Sequence, residues 1–221
     1  MGIPFKKIER GAFRDLKPTE CRVLLIRPGD HERNLTLPDD EDRLITQGTA
    51  LRNAGVRIEA AISSAADRAL EAILFTKVGL MCGGETHTSR QLAGLAAEDP
   101  DLLKRLQTEA EKAGIPLEKY LFQVCETDAD LHSKMFFCGQ EGAHALLDLA
   151  LPHKGKTVMA ASHGGWRIEV IIAALSRKLA DAPIEMPQIF VERGQIVELI
   201  IDPETRELIE ENYLEPPMPP M

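Results

Sequence analysis

Arg27 stands where a buried strand should end. Val23 to Ile26 is a continuous apolar run rich in β-formers, the pattern of a strand covered on both faces. The run stops at Arg27-Pro28-Gly29, where proline and glycine turn the chain out of the sheet. A cation at the carboxyl end of a buried strand, followed by a glycine turn, is where open α/β sheets hold anions. Lys156-Thr-Val-Met-Ala-Ala161 is a second such run, leading into Ser162-His163-Gly164-Gly165-Trp166. There the paired glycines let backbone N–H groups at the next helix start come close to an anion. The chemistry these residue types suit is the grip of a phosphate-like group, because a guanidinium offers a planar fork to two oxygens. Histidines 87, 132, 144 and 153 show no metal-ligand spacing, so they are read as solvent-facing or satisfied, and neither metal nor cofactor is expected.

Such groups need parallel strands with helices between them. Arg57 to Ser64 reads as another strand, and Ala69, Leu70, Ala72 and Ile73 supply the apolar stripe of the following helix. Arg68 falls in the first turn of that helix, where an arginine taken alone is ordinarily a solvated surface charge. Leu37-Pro-Asp-Asp-Glu-Asp42 reads as a solvated acidic loop, with a first helix capped by Thr46 and stopped at Gly55. From about 77 to 151 the chain reads as helical. Asp99-Pro100 is an N-cap and N1 pair for a helix ending at Gly114, Pro116 opens a second helix, and Gly139 to Ala150 forms a third. A largely buried helix runs from about Trp166 to Leu179. Gln188 to Arg193 and Ile196 to Ile201 then read as a hairpin about Gly194-Gln195. The expected divisions are an N-terminal arm at 1–20, one domain at 21–202, and a proline-rich, partly disordered tail at 203–221.

The totals set further bounds. A chain of 221 residues can form one sizeable α/β domain with an elaborated insertion. A formal net charge of −9 argues against a nucleic-acid partner and means that local arginines must hold any anion. Residues 1–8 have no apolar core for a secretory signal, and no run approaches the roughly 20 apolar residues that span a bilayer. Cys21, Cys82, Cys125 and Cys138 lack Cys-x-x-Cys spacing and read as reduced thiols. A cytoplasmic location with no membrane partner is the expectation, and a homodimer is left open.

Four short stretches carry a family resemblance. Arg27-Pro-Gly-Asp-His-Glu-Arg-Asn34 resembles the Arg-His-Gly-x-x-x-x-Asn signature of the histidine phosphatase (phosphoglycerate mutase-like) superfamily. Leu44-Ile-Thr-Gln-Gly48 resembles its Leu-Thr-x-x-Gly, Ser63-Ser-Ala-Ala-Asp-Arg-Ala69 its Ser-Ser-x-x-x-Arg-Ala, and Ser162-His-Gly-Gly165 its Ser-His-Gly-Gly. The resemblance implies a three-layer α/β/α fold: a mostly parallel sheet, helices on both faces and a helical insertion at about 77–151 over the site. It implies a phosphate pocket built from Arg27, Asn34, Arg68 and His163. The family's phosphate-accepting histidine falls on Pro28, whose ring has no free lone pair with which to attack phosphorus. The family's acid, which protonates the leaving oxygen, is assigned to Glu85, with Glu126, Asp128 and Glu141 left open. His31, three residues past Pro28, is weighed as a substitute nucleophile, but its offset misaligns the in-line attack and a structural or surface role is the favoured reading.

Three readings follow. The chain binds a phosphorylated small molecule or phosphopeptide with impaired catalysis, or it is an active phosphatase or phosphomutase with a non-standard nucleophile. The third reading is an interaction scaffold. Losing the nucleophile while keeping Arg27, Gly29, Asn34, Arg68 and His163 favours the first.

Overall fold

The computed structural model describes residues 5–29, 31–32, 35–94, 98–164, 166–177 and 190–215. In chain order the strands and helices are β1 (Lys6–Lys7), β2 (Cys21–Ile26), β3 (His31–Glu32), β4 (Leu35–Thr36), α1 (Pro38–Asn53), β5 (Ile58–Ser63), α2 (Asp67–Leu80) and β6 (Thr86–Thr88). They continue with α3 (Pro100–Ala113), α4 (Leu117–Cys125), α5 (Ala129–Ala150), β7 (Thr157–Ala161), α6 (Arg167–Ser176), β8 (Ile196–Asp202) and β9 (Glu207–Glu215). Seven strands form one sheet in the order β1-β9-β8-β2-β7-β5-β6. The central β2–β7–β5–β6 run is parallel, whereas β8 lies antiparallel to both β2 and β9.

The apolar runs behave as two-faced strands. Val23, Leu25, Val158 and Ala160 pack with Leu146 of α5 and Ile168 and Ile171 of α6. Their alternates Leu24, Ile26, Met159 and Ala161 pack on the other face with Leu44 and Leu51 of α1 and Ile73 of α2. A period of two thus feeds both helical layers, which is the three-layer α/β/α fold. Helices α1 and α2 meet at glycines. A Cβ on Gly48 would lie 2.2 Å from the Thr76 carbonyl oxygen, and one on Gly79 would lie 2.0 Å from that of Ile45. A third cluster joins Leu106 of α3 and Leu121 and Phe122 of α4 to Met135 of α5 and Trp166 and Val170. It seats the α3–α4 pair beside the strand ends. Among the described residues no helix is long and apolar enough to cross a membrane.

Several expectations change. Helix α1 starts at Pro38, so the acidic loop is its first turn and Thr46 lies in its interior. Pro38 suits an early helical position, and Asp39, Asp40 and Glu41 complement the positive end of the helix dipole. Helix α5 starts at Ala129, ten residues before Gly139, because Asp128 caps it by accepting from the Asp130 and Leu131 N–H groups. The hairpin partner of β8 is β9, not the segment before it. Asp202 accepts from the backbone N–H of Glu204 and Thr205, and Arg206 in the left-handed region closes the turn. The boundary expected at 202 therefore falls inside a hairpin, and residues 207–215 of the expected tail are a sheet strand. Residues 216–221 lie outside the described residues. Lys6–Lys7, within the expected N-terminal arm, pairs parallel with Leu214 and Glu215 of β9.

Charge orders the arm internally and also ties it to β9, where Arg14 Nε donates to Glu210 Oε2 at 2.9 Å. Arg14 donates to Glu20 Oε2 at 2.7 Å, and the Lys17 N–H donates to the same oxygen at 2.9 Å. The hydrogen bond from Arg14, above all, brings the Glu20 pKa from 4.5 down to about 2. A depressed folded-state pKa stabilises the protein above the unfolded value and loses that contribution as pH falls through the folded value. Native protein is expected to shed this part of its stability between pH 4.5 and about 2. Urea midpoints measured across that range should fall less steeply for Glu20→Gln, which starts from a lower midpoint at neutral pH. Equal acid slopes would remove Glu20 as the cause.

Candidate active site

The carboxyl ends of β2, β5 and β7 point to one place. Arg27, just past β2, is stitched by its backbone to the loop before β8. Its N–H donates to the Gln195 carbonyl at 2.9 Å and its carbonyl accepts from Gly194 N–H at 3.0 Å. Gln47 of α1 supports that loop, donating to the Gly194 carbonyl at 2.7 Å. The Arg27 guanidinium donates to the Val191 carbonyl and, at 3.3 Å, to Glu118 Oε1. Its stem lies against Gly164, where a Cβ would come within 2.0 Å of Arg27 Cδ. Only glycine leaves room for that arginine.

His163 follows β7 and is 8% exposed. Ser64, just past β5, meets its Nε2 at 2.8 Å, and Arg68 in the first turn of α2 meets its Nδ1 through Nη2 at 3.0 Å. A guanidinium can only donate, so Nδ1 accepts and the ring proton sits on Nε2, donating to Ser64 Oγ. Burial pushes the Arg68 pKa down from its usual value, yet a guanidinium stays charged in proteins. Gly94 closes over the other side of the ring, where a Cβ would lie 2.9 Å from His163 Cγ.

Arg27, Pro28, Gly29, Arg68, Glu118, His163, Gly164 and Arg193 line a cavity of about 160 Å³. A second cavity of about 140 Å³ adjoins it, sharing Arg68, Glu118, His163 and Gly164, with walls from Gly94, Leu103, Gln107, Leu117, Leu121 and Trp166. A larger one of about 400 Å³ opens at the opposite, amino-terminal ends of the strands, near Arg14, Arg22, Arg57 and Lys156. Size does not make that one the site. Arg14, Arg22 and Lys156 there are paired with Glu20, Glu198 and Glu59.

The structure therefore brings Arg27, Pro28, Arg68 and His163 together. Glu85 it does not. Ser63 pairs with Thr88, which puts Glu85 three residues before the end of β6 that faces the site, roughly 10 Å away along the strand. It is an exposed loop carboxylate whose backbone carbonyl accepts from Lys77 Nζ. Of the alternatives, Asp128 caps α5, Glu126 is exposed in the turn just past α4, and Glu141 is exposed on α5. The carboxylate in the cavity is instead Glu118, near the start of α4. Asn34 lies outside the described residues, as does the side chain of His31, whose backbone is in β3. Among the described residues no group of three or more His, Cys, Asp or Glu could hold a metal.

Sequence reasoning missed Ser64, Glu118 and Arg193. Ser64 had a signal, since the second serine of the Ser-Ser pair is the one that can leave the strand end. Glu118 and Arg193 had none, because each meets Arg27 or its cavity only through the tertiary fold.

No family model and no curated protein sequence matches this chain. Solved structures do resemble it. Phosphoglycerate mutase from Bacillus anthracis str. Sterne superposes with a TM-score of 0.57 at 14% identity, over 83% of this chain and 89% of that one. Mycobacterial glucosyl-3-phosphoglycerate phosphatase gives 0.57 at 10% identity, over 88% and 97%. The protein histidine phosphatase SixA complexed with tungstate gives 0.52 at 14% identity, over 88% and 94%. At such identities the likeness is one of fold: this chain has the phosphoglycerate mutase-like α/β fold of histidine phosphatase superfamily structures.

Proposed function

We propose that the protein binds phosphomonoesters through Arg27, Arg68 and His163 and does not turn them over through a phosphohistidine. The convergence of two guanidinium groups and a buried imidazole on one cavity, with Pro28 in its wall, carries the reading. Phosphoryl oxygens are held by positioned positive charge, and each arginine fork can meet two of them. The proline offers no nucleophile. His163 does not replace it in this arrangement, because its Nδ1 lone pair accepts from Arg68 and its Nε2 proton faces Ser64.

Isothermal titration with tungstate, the oxyanion in the SixA structure, tests the pocket. Arg68→Ala removes a charge-assisted contact that contributes up to about 3 kcal/mol. Affinity is expected to fall about a hundredfold, a loss that grows as salt is lowered. Unchanged binding in Arg68→Ala would overturn the pocket assignment.

A further inference from the structure

Resting on the phosphate-pocket reading, we propose that the ligand carries its phosphate on an uncharged, apolar body, not on a second anion. The two adjoining cavities divide the work. The first gathers the cations, with Arg27, Arg68 and His163 for the phosphate and Arg193 on the same wall. The second is walled by Leu103, Leu117, Leu121 and Trp166, and Arg68 is the one cation among its described lining residues. That guanidinium is turned to His163 Nδ1, 3.0 Å away, on the phosphate side. Glu118 lies at the junction and lines both cavities, with its charge 3.3 Å from Arg27. A carboxylate or second phosphate reaching out of the first cavity would meet that like charge and an apolar wall. Neither compensates for its lost hydration.

The size of the second cavity fits the same answer. About 140 Å³ is close to the engineered apolar cavity of about 150 Å³ that binds benzene. One aromatic ring or a short aliphatic chain would fill it, with the amide of Gln107 at the exposed rim. Fold likeness to phosphoglycerate mutase thus does not extend to the lining expected for a carboxylate-bearing ester. Helices α3 and α4, which supply most of this wall, are the specificity element.

Titrating the full-length chain with inorganic phosphate, phenyl phosphate and 3-phosphoglycerate, at one pH and ionic strength, tests this. Phenyl phosphate is expected to bind at least about tenfold tighter than inorganic phosphate through burial of its ring. 3-Phosphoglycerate should bind no tighter than inorganic phosphate. Leu103→Ala, at a half-buried position, should cost phenyl phosphate about fivefold and leave inorganic phosphate unchanged. Gln107→Lys, at an exposed position, should raise 3-phosphoglycerate affinity more than that of inorganic phosphate or phenyl phosphate. Phosphate binding with 3-phosphoglycerate equal to or tighter than phenyl phosphate would overturn the inference and keep the pocket. No binding of phosphate or either ester would overturn the pocket reading itself.

Discussion

Pro28→His is expected to create phosphatase activity at least about a hundredfold above the native protein, read with phenyl phosphate. The position already lines the cavity that Arg27, Arg68, Glu118 and His163 share. The change supplies an imidazole lone pair where the proline ring has none. Its attack would form the P–N bond as the P–O bond to phenol breaks, with water later releasing phosphate and restoring the imidazole. Positioned general acid–base groups contribute about 10² to 10⁴ in rate, so a nucleophile added to the proposed oxyanion pocket should give an effect of that order or more. The change leaves the local backbone hydrogen bond available, because the residue 28 carbonyl accepts from Gly194 N–H at 3.2 Å. Covalent phosphohistidine should be visible by mass spectrometry of Pro28→His, and His163→Ala in that background should remove the turnover. Glu118 is the carboxylate among the described residues that line the cavity, and in the Pro28→His protein it is the group expected to assist the leaving oxygen. Glu118→Gln should therefore slow hydrolysis of an alkyl phosphate more than that of phenyl phosphate, whose phenolate leaves more readily. A Pro28→His protein that binds tungstate as the native does yet forms no phosphohistidine would show that position 28 is not the missing part.

The parts of this site legible in the sequence are those that local pattern dictates. Val23–Ile26 and Thr157–Ala161 are apolar on both faces, so their burial and their ends at Arg27 and His163 could be read directly. The spacing from Ser63 to Arg68 places an arginine one helical turn past a strand end, and the structure turns it to His163. Glu118 was illegible because its partner Arg27 is 91 residues away. Near the start of an amphipathic helix, a glutamate has the local pattern of a solvated face. Strand β9 was hidden for a related reason. Glu207, Glu210, Glu211 and Glu215 make it look like a polar tail, and the partners that accommodate two of its polar side chains are Arg14, 196 residues from Glu210, and Glu198, across the hairpin from Asn212. The start of α1 was misread because acidic residues were weighed as solvent-seeking, when at a helix N-terminus they are also favoured by the dipole.

Replacing Glu198 with alanine should destabilise the protein by about 3–5 kcal/mol, the range for breaking a buried ion pair from one side. Glu198 is fully buried on β8. Its Oε1 accepts from Arg22 Nε at 2.6 Å, and its Oε2 accepts from Lys6 Nζ at 2.6 Å and Asn212 Nδ2 at 2.9 Å. Arg22 also reaches Thr157 Oγ1 and the Arg14 carbonyl, and both cations stack on Phe13. One carboxylate thus links side chains from β1, β2 and β9, and through Arg22 reaches β7. Without it, Arg22 keeps its charge at 6% exposure and loses the carboxylate it is paired with. An exposed pair such as Lys154–Glu204 should contribute at most about 1 kcal/mol by comparison. Urea unfolding is the measure, and a loss of this size in a chain this long lowers the melting temperature by roughly 10 °C. The discriminating variant is the double change Arg22→Met with Glu198→Leu, which removes the stranded charge and should recover much of the loss. A double variant as unstable as the sum of the singles would mean that packing, not charge, holds this end of the sheet. Tungstate binding should be unaltered in every folded variant, because this network lies at the amino-terminal end of β2 and the pocket lies at its carboxyl end.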